Sequence, residues 1–94
     1  MGEMGRIEVL AVMKRYYLQL VAQCKPSEAR STSLWAVEEL SRYIVDNPGE
    51  NPYELILKFS DKMDIWSLKN LKTSHYFSEA RAIALDIYDE CGGR

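Results

Sequence analysis

Apolar residues recur at steps of three and four along most of this chain, and no stretch alternates apolar and polar in twos. That spacing places them on one face of an α-helix and predicts helices with no competing strand. The clearest case follows Asn51, where Tyr53, Ile56, Phe59, Met63 and Trp66 share a face. Its start has a mechanism. Asn51 can accept hydrogen bonds from the free amides of a first turn. Pro52 suits the first helical position, where its missing N–H costs nothing. Glu54 can reach back to the cap and favours the positive end of the helix dipole. A helix over about 52–69 follows, with that stripe as its expected core face.

The same periodicity predicts three further helices. The first covers about 6–24, with Leu10, Met13, Tyr17, Leu20 and Cys24 on one face, widened by Ile7, Val9, Tyr16 and Val21. This arc exceeds the roughly 100° stripe that an ordinary surface helix needs, so two neighbours or another chain should touch it. Lys25-Pro26 ends it, because the proline pushes Lys25 out of the α region. The second helix is expected over about 33–46, with Leu34, Val37, Leu40 and Ile44 inward and Pro48-Gly49 as its stop. Ser27-Glu28-Ala29-Arg30 offers an earlier start. The fourth is expected over about 75–91, capped by Ser74, with Phe77, Ala80, Ala84, Ile87 and Cys91 inward. Gly92-Gly93 closes it, since glycine tolerates the left-handed conformation common at helix ends.

Four helices with short connections pack as mostly antiparallel neighbours. The expectation is an all-α, four-helix up-down-up-down bundle, or a related orthogonal packing. Residues 1–94 make a single helical domain, with 1–5 and 92–94 as loose ends. An apolar share of 47% and a charged share of 28% are those of a globular protein. Net charge is −2, so no global positive field attracts nucleic acid or anionic lipid. No apolar run reaches membrane-spanning length. No secretory leader is legible at the start. The two cysteines are few for a secreted scaffold, so a cytoplasmic protein with reduced thiols is expected. Cys24 and Cys91 fall at opposite ends of such a bundle, beyond disulfide reach.

Candidate chemistry is sparse. His75 is the one histidine, and with two separated cysteines it matches no zinc spacing. Both cysteines fall on apolar faces near helix C-termini, where the dipole opposes a thiolate, and read as core fillers. Asp61, Asp64, Asp86, Asp89 and Glu90 alternate with Lys58, Lys62 and Arg81 at salt-bridge spacing, which describes a solvated face. No glycine-rich phosphate loop occurs. No catalytic residue, cofactor or metal is therefore expected. One basic segment, Lys69 to His75, precedes a helix start, where anions bind. Lys69, Lys72, Ser74 and His75 are its candidate anion or nucleic-acid contacts.

More informative are apolar residues off the core stripes. Leu57, Ile65 and Leu68 project from the back of the third helix, and Trp35 from the polar side of the second. Aromatic and aliphatic groups so placed suit a partner surface, with self-association the simplest form. Asn51-Pro52-Tyr53-Glu54, Phe59, Lys62-Met63-Asp64, Ser74, Phe77-Ser78, Ala84 and Asp86-Ile87 together resemble small uncharacterised helical proteins of phages and mobile elements of Gram-positive bacteria. The similarity covers about residues 50–90 and implies an accessory role, with no catalytic or ligand residue. The expected function is a non-catalytic helical domain working through protein–protein contacts, as a homodimer or with another protein. The alternative is a small nucleic-acid-associated regulator using the basic connection, and an enzyme is disfavoured. No membrane association is expected.

Overall fold

The computed structural model describes residues 5–93, so residues 1–4 and 94 of the expected loose ends lie outside the described residues. Four α-helices account for most of the chain: α1 (Arg6–Gln23), α2 (Glu28–Asp46), α3 (Pro52–Lys69) and α4 (Ser74–Glu90). A short 3-10 turn, Leu71–Thr73, leads from α3 into α4. No strand occurs among the described residues. The architecture is the expected all-α four-helix bundle. α3 and α4 run antiparallel, as cross-helix bonds show. Tyr53 at the start of α3 donates to the Cys91 carbonyl at the end of α4 at 2.6 Å. Ser67 near the end of α3 meets Ser78 near the start of α4 at 3.1 Å. α2 and α4 form the inner pair, meeting at Trp35 and Tyr76, with α3 packed on α4 and α1 laid mainly on α2.

Small residues allow that inner pair to approach. Ala36 of α2 and Ala80 and Ala84 of α4 are all buried. Around them Val9, Met13, Leu40, Ile44, Leu55, Ile56, Met63 and Ile87 are fully enclosed. Each such side chain contributes about 1.5–3 kcal/mol relative to exposure.

Helix ends follow local chemistry. Asn51 Oδ1 accepts from the amides of Tyr53 and Glu54 at 2.8 and 3.4 Å, with Pro52 at the first position as expected. α2 begins at Glu28 rather than near Ser33. Ser27 Oγ accepts from the Arg30 amide at 3.1 Å, and this earlier cap takes precedence. Ser33 is then buried inside the helix, its hydroxyl donating to the Ala29 carbonyl at 3.0 Å. At the far end Gly92 has φ +77°. The amide of Gly92 donates to the Asp89 carbonyl and that of Gly93 to the Tyr88 carbonyl, at 2.9 and 2.8 Å. This paired closure is the left-handed helix terminus that needs glycine. It fixes Gly92 and Gly93, which are not loose.

Three further expectations are corrected. On α1 the buried residues are Val9, Val12 and Met13, not the full Leu10–Cys24 stripe. α1 touches both α2 and α4, so its covered face is turned toward Val12, while Leu10, Tyr16, Tyr17 and Leu20 are only partly covered. Cys24 lies beyond the end of α1 in extended backbone and is exposed, so only Cys91 fills the core. Trp66 is not enclosed with Tyr53, Ile56, Phe59 and Met63: it remains 42% exposed. It stands on the last turn of α3, where the bundle ends and Phe77 covers it at a ring separation of 5.5 Å. Leu55, off the expected stripe, is fully buried instead.

Candidate interaction surface

The outward side of α3 is made by residues pointing opposite its core face. Leu57, Ile65 and Leu68 project there, 39%, 48% and 72% exposed. Steps of eight and three keep them within about a quarter of the helix circumference. Glu54 and Asp61 share that side and are exposed. Past the end of α3, Leu71 of the 3-10 turn is 81% exposed. Ile65, Leu68 and Leu71 thus recur at every third position across the far end of α3 and the corner after it. Grouped exposed side chains of this kind mark contact surfaces more often than scattered ones do.

Trp35 does not join this surface. It is half-buried and packs on Tyr76 of α4, ring centroids 5.1 Å apart and tilted by 47°. The ring that covers it belongs to α4, and no pattern within α2 reveals that neighbour. Leu71 is the exposed apolar residue next to this surface that sequence reasoning missed, and the exposure of Trp66 on the core side was missed as well. A large apolar residue in a connection was the legible signal for Leu71. Nothing local could have shown that α3 outruns its cover at Trp66.

The basic candidates lie at the same corner but not as a built anion site. Lys69, Lys72 and His75 are exposed. Ser74 is half-buried and is the first residue of α4, not its cap; that position belongs to Thr73, whose side chain caps nothing. The 3-10 turn runs directly into α4, so the helix start is not an open ring of amides. His75 also borders a cleft of about 380 Å³ between α2 and α4, where Glu28 and Glu79 face it. Two carboxylates there oppose phosphate.

The remaining polar groups tie helices together. Tyr16 of α1 donates to Asp86 Oδ2 of α4 at 3.1 Å, and Tyr17 donates to Glu38 Oε1 of α2 at 2.9 Å. Burial, then the Asp86 carboxylate, pushes the Tyr16 phenol well above its usual range. The bond to Glu38 raises Tyr17. Burial raises the Cys91 thiol, which disfavours the nucleophilic thiolate. No group of three His, Cys, Asp or Glu able to hold a metal occurs among the described residues. Nor is any helix among them long and apolar enough to cross a membrane.

Comparison of the chain with protein-family models, with curated proteins and with solved structures finds no match.

Proposed function

We propose that this chain is a non-catalytic helical interaction domain that works through protein–protein contact, with self-association foremost, along the outward side of α3. The observation that carries this reading is the placement of Leu57, Ile65 and Leu68 opposite the core of a helix whose other side is already filled. Covering a side chain such as Leu68 removes apolar surface from water. The accessory role implied by the resemblance of residues 50–90 is compatible with a small adaptor of this kind. A nucleic-acid regulator is less favoured, because His75 borders a cleft with Glu28 and Glu79 and the start of α4 is not an open ring of amides.

The test is light scattering on the full chain from micromolar to millimolar concentration. A concentration-dependent rise in mass, abolished by Leu57→Ser or Leu68→Ser without loss of helicity, supports the reading. A monomer throughout, or a dimer indifferent to both substitutions, removes it.

A further inference from the structure

The charges along the outward side of α3 say how a partner would lie. In chain order that side presents Glu54, Leu57, Asp61, Ile65 and Leu68, with Lys69 at its flank and Lys72 just past its end. It is acidic where the helix begins and basic where it finishes. Among the described residues, Glu54, Asp61, Lys69 and Lys72 take part in no ion pair. The charges beside them are engaged: Lys58 with Glu50 at 3.2 Å, Asp64 with Arg81 at 4.0 Å, and Lys62 over the Tyr43 ring at 4.7 Å. Charges outside close ion pairs thus lie along the apolar strip, with Glu54, which also acts on Lys58, at one end and Lys69 and Lys72 at the other.

We infer that the partner is a second copy of this chain, docked antiparallel along α3 about a two-fold axis near Lys62 and Met63. The inference rests on the interaction surface proposed above. Antiparallel docking sets Glu54 of each copy against Lys72 and Lys69 of the other. The same axis sets Leu57 against Leu68, because the midpoint of Leu57 and Leu68 falls between Lys62 and Met63 and that of Glu54 and Lys69, also on α3, within one residue of it. One geometry therefore satisfies the apolar and the charged positions together. A two-fold contact requires this self-complementarity, in which residue i meets j and j meets i. A parallel pair would instead set Glu54 against Glu54 and Lys72 against Lys72. The antiparallel arrangement has one unfavourable feature. Asp61 lies within a turn of the axis, so two like charges approach there.

The experiment is sedimentation of the full chain at low salt, comparing five variants that all alter exposed residues. Helicity is checked for each by circular dichroism. Glu54→Lys should weaken the dimer by about five-fold or more, and so should the pair Lys69→Glu with Lys72→Glu, since each turns two attractive contacts per dimer repulsive. Combining all three substitutions in one chain should restore affinity to within about three-fold of the parent, because the attraction returns with its signs exchanged. Asp61→Asn should tighten the dimer. If Leu68→Ser abolishes the dimer while the charge reversals leave it unchanged, or the combined variant is no better than its components, the antiparallel pairing is wrong and the interaction surface stands. If the parent chain is monomeric at every concentration, self-association itself falls.

Discussion

Leu55 and Leu68 stand on one helix and differ almost only in what covers them. Leu55 is fully buried, and Leu68 is 72% exposed. Truncating a buried leucine to alanine removes its transfer energy and leaves a cavity, costing about 2.7–5 kcal/mol. Full burial of a leucine is worth about 1.5–3 kcal/mol, so the covered quarter of Leu68 accounts for less than ~1 kcal/mol. A domain this small is held by roughly 5–15 kcal/mol, and each kcal/mol moves Tm by about 4–8 °C. Leu55→Ala should therefore lower Tm by more than ~10 °C, and Leu68→Ala by less than ~8 °C. Urea unfolding followed by tryptophan fluorescence gives the free energies. It must be run at low concentration, because association through Leu68 would add its own stabilisation. The slope against urea should be equal for both variants and the parent. Equal losses from the two substitutions would refute the assignment of faces on α3, and with it the interaction surface.

Other consequences follow from single contacts. Tyr53→Phe removes the buried hydroxyl that donates to the Cys91 carbonyl at 2.6 Å and should cost about 1–3 kcal/mol, read by urea unfolding. Gly92→Ala places a side chain at φ +77° with open space around it, so backbone strain alone should cost about 1–2 kcal/mol in the same assay. Tyr16 is raised by burial and by Asp86, so the folded state holds its proton more tightly than the unfolded state. That contribution is complete below the ordinary tyrosine range near pH ~10 and is lost as pH rises through the folded value. Stability of the parent should therefore fall with pH above ~10 more steeply than that of Tyr16→Phe, measured by thermal unfolding across the alkaline range.

The candidate surface was partly legible beforehand, and the reason lies in α3 itself. Leu57, Ile65 and Leu68 are set opposite a stripe of large side chains, and a helix that buries that stripe must show them to solvent. Trp35 failed the same test because its exposure is decided by Tyr76, a residue 41 positions away on another helix. Lys69 and Lys72 were rightly placed at a corner before α4, yet the anion site expected there depended on an open helix start. The 3-10 turn runs directly into α4, and His75 borders a cleft with Glu28 and Glu79, which is unfavourable to an anion there.

Sequence alone determined the helices and most of their ends, because caps, prolines and glycines act over a few bonds. Asn51-Pro52 and Gly92-Gly93 behave as their local chemistry requires. At Ser27 against Ser33 two local signals competed, and the choice went to the cap that extends the buried face of α2 over Thr32, Ser33 and Ala36. Only the tertiary structure decided how far each face turns and where cover stops. Val12 is buried because α1 lies against two helices, Leu55 because α3 has neighbours on more than one side, and Trp66 is left half bare because α3 outruns the bundle. Periodicity specifies a direction around one helix axis. Burial depends on what stands in that direction, and that is a property of the other helices.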